Sequence, residues 1–241
     1  MLGALSATTA LFVYKIHSCY QESQREKRKI PPELRGSYYE KELETAVEVA
    51  YECGSKMLLV IDDLEKKKID KSEGNESSIA DWVTETDRSN EALIFKALRM
   101  NFPTYHFIGE EMSSDEGIPE LTNDPTWIVD PVDGTTNFVH SFPLTCVSIG
   151  LCINKRPVLG VVYCGSTQEL FLAIRGKGSF LNGKRLTTSK ASTLSDSLIL
   201  TEFGYGREPK DLDRIFRVMR SLLLNGVQGF RQMGSGVLDL W

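Results

Sequence analysis

Near Pro103 the grain of this sequence changes, and that change limits the available folds more than any single motif does. Before it, Leu43, Ala46, Val47, Ala50, Cys53, Met57 and Ile61 recur at steps of three and four, the spacing that lines one face of an α-helix. After it come short apolar, β-rich runs: Phe107-Ile108, Trp127-Ile128-Val129, Cys146 to Gly150, Val158 to Tyr163 and Leu170 to Ile174. These read as strands, and Asn182-Gly183 reads as a tight turn between strands. Helices first and strands afterwards, with no internal repeat, predict a layered α/β or α+β domain.

The first helix is expected from about Tyr38 to Lys68, followed by a Gly/Ser/Asn/Glu loop at 72–78. A second helix is expected to follow Asp87, with Ala92, Phe95 and Leu98 on its inner face, and to end before Pro103. Later, Ser197 to Phe203 reads as a strand and Pro209 to Leu224 as a helix with proline in its first turn. Residues 20–36 are charged and carry Pro31-Pro32, the composition of a solvated linker. Met1 to Tyr14 is apolar but shorter than the roughly 20 residues that span a bilayer. It has no basic stretch ahead of it, so it reads as an extension and not as a signal peptide or anchor. The expected organisation is an extension and linker at 1–36 and one domain at 37–241.

With 28 Lys+Arg against 33 Asp+Glu, the chain lacks the cationic excess of a nucleic-acid or lipid-surface binder. A small-molecule substrate fits better. Five widely spaced cysteines without a C-x-x-C pair argue against a disulfide framework and a zinc site, and for a reducing, cytoplasmic setting. Cys146, Cys152 and Cys164 fall in apolar strands and read as core. His17, His106 and His140 are scattered, with no serine or cysteine in a nucleophile setting, and read as structural.

The chemistry concentrates in Trp127-Ile128-Val129-Asp130-Pro131-Val132-Asp133-Gly134-Thr135. An apolar strand delivers two carboxylates to its end, Pro131 bends the chain, and Gly134 permits a tight turn into a helix starting at Thr135. Asp130 and Asp133 are hard oxygen donors suited to Mg²⁺, and the N–H groups at a helix start attract phosphate. The plainer alternative is that Asp133 only caps that helix. Glu110-Glu111 also follows a short apolar strand, and Asp81 to Asp87 precedes the expected second helix, so Glu110-Glu111 could be a solvated strand end and Asp87 an N-cap. Three acidic clusters at element boundaries could instead converge on one divalent-metal site.

Taken together, D-W-V-T-E-T-D at 81–87, G-E-E at 109–111 and W-I-V-D-P-V-D-G-T-T-N-F-V-H at 127–140 resemble the inositol monophosphatase family in order and spacing. The resemblance runs from about Thr45 to the last residue and takes in Val158 to Tyr163 and G-K-G-S-F-L-N-G-K at 176–184. It implies a sugar-phosphatase-type sandwich of helices and two β-sheets, and a homodimer. It also implies a lithium-sensitive, Mg²⁺-dependent phosphomonoesterase that releases inositol and phosphate. By the same resemblance a first metal would use Glu110, Asp130 and the Val132 carbonyl, and a second would bridge Asp130 and Asp133. Asp87 and Thr135 match the pair that activates the attacking water, Gly134 and Thr135 the phosphate-cradling turn, and Gly234-Ser235-Gly236 the inositol contacts. The metal-activated water needs no covalent intermediate; the acids of aspartate-nucleophile phosphatases stand two positions apart, whereas Asp130 and Asp133 stand three apart.

The sequence departs from that pattern in two places. The family's later W-D segment, whose aspartate completes the second metal site, is not matched before Trp241, and Asp239 falls within the helix expected after Ser235. The loop at 72–78 leaves the family's basic loop residue with only Lys71 as a candidate. Rival readings are a sibling phosphatase acting on 3'-phosphoadenosine or fructose bisphosphate, and an inactive truncated isoform or fragment.

Overall fold

The structure, a computed structural model, describes residues 30–69, 76–204 and 206–240. His17, Cys19, Lys71 and the apolar stretch Met1 to Tyr14 therefore lie outside the described residues. Helix α1 (Glu40–Ile69) forms where the three-and-four spacing predicts it. All seven residues of its predicted stripe are buried, from Leu43 to Ile61. The packed chain begins earlier than Tyr38: a 3₁₀ turn at Pro32–Leu34 places Leu34 in the core beside Ile30.

Helix α2 (Glu76–Asn101) corrects the sequence reading twice. It starts well before Asp87, so residues 76–78 belong to a helix and Asp87 sits in a helix interior instead of at an N-cap. Ala92 faces outward and Ile94 takes the inner position. The cause is a polar inner face. Thr86, Asp87, Asn90 and Glu91 are all buried between Val83 and Ile94, so a real helical stripe carries no apolar signal across that stretch.

A seven-stranded sheet follows, with strands in chain order: β1 (His106–Gly109), β2 (Thr126–Asp133), β3 (Cys146–Ile153), β4 (Arg156–Cys164), β5 (Glu169–Ile174), β6 (Gly178–Leu181) and β7 (Lys184–Arg185). Only the β1–β2 pair is parallel, joined through the short helix α3 (Glu110–Glu116); the other neighbours are antiparallel. Asn182 and Gly183 turn β6 into β7 with φ of 49° and 81°, the left-handed pair that such a two-residue hairpin needs. Helices α1 and α2 cover one face of the sheet. There Trp127, Phe138, Phe180, Leu151 and Leu172 are almost wholly excluded from water, each worth about 1.5–3 kcal/mol of burial.

A second, two-stranded parallel sheet pairs β8 (Leu198–Leu200) with β9 (Gly229–Arg231) across α5 (Pro209–Leu224). The strand expected over 197–203 is thus shorter, and the helix after Ser235 is one 3₁₀ turn at Leu238–Leu240. No described helix is long and apolar enough to cross a membrane.

Candidate active site

Strand β2 runs on through Pro131 to Asp133, and its register with β3 slips by one residue between Asp130 and Asp133. Proline has no N–H for a ladder, and here it occupies that bulge, beyond the point where β1 stops at Val129. The bulge re-aims Asp133 at the strand end. Gly134 follows at φ 89° in the left-handed region and opens the five-residue helix α4 (Thr135–Val139). A Cβ there would stand 2.9 Å from the Leu144 carbonyl oxygen, so both conformation and space select glycine.

Neither capping alternative survives. No side chain caps α4. Asp133 Oδ2 instead accepts hydrogen bonds from the Ser235 hydroxyl and from the Val237 N–H at 3.0 Å, and the buried Cys146 thiol lies 3.7 Å away. Burial pushes that thiol's pKa up, which fits a core cysteine and not a nucleophile.

Glu110, Asp130, Val132, Asp133, Gly134, Thr135, Gly234 and Gly236 line one cavity of about 680 Å³, whose far wall holds Phe142, Glu202, Phe203, Arg207 and Met233. Asp87 does not line the cavity; it is buried in the field of Glu111, Glu110, Asp130 and Glu91. Burial first, and then those carboxylates, raise its pKa to about 8. Asp130 is also raised to about 8, by burial and then by Glu110 and Asp133. Acids this close in a low-dielectric site repel one another unless protonated or given a cation. The Thr135 hydroxyl donates to the Val132 carbonyl at 3.3 Å, and the Val132 N–H donates to Asp130 Oδ1 at 3.1 Å.

Among the described residues no three His, Cys, Asp or Glu side chains form a ready-made metal cage. The donors are nevertheless all oxygen and their charges are crowded, which is the chemistry a hard divalent cation satisfies. Asp239 is half-buried beside Glu202, which with burial raises its pKa, and it does not line the cavity. His106 is exposed, 3.6 Å from Asp124, and His140 ends α4 at the surface.

Three residues were not singled out from sequence. Asn137 Nδ2 donates to the Leu144 and Met233 carbonyls, both at 2.7 Å, and ties α4 to the 233–236 loop. Glu202 Oε1 accepts the N–H groups of Met233 and Gly234 at 3.0 and 2.8 Å. Glu91 grips the start of α3. All three act on backbone groups, which spacing does not display; the only sequence signal is that Glu91 stands four positions from Asp87, on the same helix face.

The chain resembles known proteins along most of its length. A sequence model of the inositol monophosphatase family matches residues 42–241. Inositol monophosphatase 1 of Solanum lycopersicum is 52% identical over 160 residues, 66% of this chain and 58% of that protein. Inositol monophosphatase 2 of Homo sapiens is 39% identical over 207 residues, 86% of this chain and 70% of that protein. The solved structure of inositol monophosphatase from Anabaena (Nostoc) sp. PCC 7120 superposes with a TM-score of 0.68 at 31% identity, covering 85% of this chain and 71% of that one. The extragenic suppressor protein suhB from Bartonella henselae gives 0.64 at 29% identity, covering 83% and 71%. The chain thus spans under two thirds of the tomato relative's length.

Proposed function

The chain belongs to the inositol monophosphatase family, and from that premise we propose that it is a Mg²⁺-dependent phosphomonoesterase that hydrolyses an inositol monophosphate to inositol and phosphate. One observation carries the reading: crowded, mutually repelling carboxylates meet a glycine turn in one cavity.

In this reading Glu110, Asp130 and the Val132 carbonyl would hold one metal ion, and Asp130 and Asp133 would hold a second. Magnesium bound there would neutralise phosphate oxygens, lower the pKa of a water and stabilise the leaving alkoxide. The chain's own groups do the rest. Asp87, already displaced toward neutral pH, takes a proton from the attacking water through Thr135. Gly134 and Thr135 present backbone to the phosphate, since no Cβ stands in the way at 134. Gly234 and Gly236 meet the inositol ring, while the Ser235 expected beside them is buried outside the cavity and, with Val237, holds Asp133 in place from behind. Lithium sensitivity, a homodimer and a cytoplasmic location belong to the same proposal.

The test is phosphate release from inositol 1-phosphate, 3'-phosphoadenosine and fructose bisphosphate, each with and without Mg²⁺. Turnover of the inositol ester alone, lost on chelation, is expected. Preference for another ester overturns the substrate, and turnover that survives chelation overturns the metal mechanism.

A further inference from the structure

Glu91 is buried, 6% exposed, one helical turn beyond Asp87 on α2. Its two oxygens divide between two N–H groups of α3: Oε2 accepts from Glu111 at 2.9 Å and Oε1 from Met112 at 3.0 Å. Those are among the donors that a helix start leaves without an intrahelical partner. The residue that should supply a local cap is Gly109, which has no side chain to offer. A Cβ at that position would collide with the Glu91 carboxylate and with the Phe95 ring. Glycine at 109 and glutamate at 91 therefore fit as a pair, with the cap of one helix delivered from another.

Repulsion alone would not put Glu91 there, because it faces Glu110 and Glu111. The two N–H bonds must outweigh that cost, and charge-assisted bonds of this kind are the strong ones. What the grip fixes is the first turn of α3, a helix of seven residues whose opening residue is Glu110. A second tie between the two helices, Arg88 to Glu111 at 3.4 Å, is exposed and weak.

We propose that Glu91 is a positioning residue of the metal site: by capping α3 from α2 it sets where Glu110 stands relative to Asp130, and it locks that placement to Asp87 on its own helix. The inference rests on the functional reading above for the role of Glu110.

The decisive variant is Glu91→Gln, which keeps the shape but replaces one accepting oxygen with an NH₂ that faces a backbone N–H. Three readouts are taken on the whole chain: Mg²⁺ affinity by calorimetry, amide exchange at Glu111 and Met112, and phosphate release against Mg²⁺ concentration. Outer-sphere partners of metal ligands are worth about 10–100-fold in metal affinity. The expectation is a roughly 10-fold rise in the Mg²⁺ dissociation and half-saturation constants, faster exchange at both amides, and kcat at saturating Mg²⁺ close to wild type. Arg88→Ala, which removes the exposed tie, should leave all three near wild type.

Faster exchange with unchanged Mg²⁺ affinity overturns the proposal, because Glu91 is then a cap and nothing more. So does a wild-type chain that binds no Mg²⁺. A wild-type chain that binds Mg²⁺ without turnover overturns the phosphatase reading instead, while the calorimetric difference between wild type and Glu91→Gln still decides the role of Glu91.

Discussion

The two sides of the cavity are built to different standards. The described residues between 30 and 185 form a seven-stranded sheet under two long helices, and nearly every large apolar side chain packed between sheet and helices is buried. The described residues between 194 and 240 form two paired strands, two 3₁₀ turns and the helix α5, none of whose residues is buried. Asp87, Glu110, Asp130 and Asp133 come from the first side. Asp87 and Asp130 can be held next to other carboxylates only because the surrounding core leaves them nowhere to go. The loop from Met233 to Gly236 comes from the second side and is secured by a few polar ties to Asp133, Asn137 and Glu202. In the proposed reading the chemistry sits on the stiff side and substrate recognition on the side with less burial to stabilise it, a division in which the moving parts are drawn from the low-stability end.

The sharpest way to break this comparison is Asp130→Asn. Phosphate release should fall by about 10²–10³-fold or more, while the folded chain loses an unfavourable charge and keeps its stability. The pH dependence follows from the same strain. Asp87 and Asp130 titrate near 8 in the fold and near 3.8 when unexposed to it. Between those values the folded state holds protons that the unfolded chain has released, so metal-free stability falls as pH rises from about 4 to about 8. Thermal melts in chelator should show that fall, Asp130→Asn should flatten it, and added Mg²⁺ should oppose it at the upper end. A melting temperature that instead rises through this window would mean that the acids are not crowded.

Stability should divide along the same line. Leu172→Ala, at 2% exposure on β5, should cost about 2–5 kcal/mol. Leu223→Ala, at 56% exposure on α5, should change stability by less than about 0.5 kcal/mol. Denaturant melts measure both. A large loss at Leu223 would show that the outer face of α5 is covered in solution, which would favour the homodimer and shift the thin side toward the stiff one.

The stiff side was also the more legible in sequence. The α1 stripe, the strand runs and the Asn182-Gly183 turn follow from periodicity and turn chemistry, and two of the three acidic clusters bring Glu110, Asp130 and Asp133 to one cavity with Gly134, while Asp87 of the third does not line it. Where the reading slipped, function was the cause. Helix α2 was placed too late because its inner face spends Thr86, Asp87, Asn90 and Glu91 on polar contacts where a plain core helix would place leucines. The Ser235–Asp133 contact joins residues far apart in the chain, and one sequence gives no pairing information over such distances. Glu202 and Asn137 bond to carbonyl and N–H groups, which look the same at every position until the fold aims them.

That last pair supplies the finest test of the comparison. Asn137 bonds both the Leu144 carbonyl on the stiff side and the Met233 carbonyl on the thin side, and its amide already occupies the space a Cβ on Gly234 would need. Truncation to alanine strands two carbonyl groups and frees the loop from α4, while no acid moves. Lost hydrogen bonds of this kind are worth about 1–3 kcal/mol, so KM for the inositol ester should rise by roughly 10-fold with kcat changed far less. Glu202→Gln, on the exposed side of the same loop and able to keep one acceptor, should raise KM by a smaller factor. If either substitution lowers kcat and leaves KM alone, the loop is part of the chemical step, and the separation of a stiff catalytic side from a thin recognition side fails at the Asp133–Ser235 contact where the two meet.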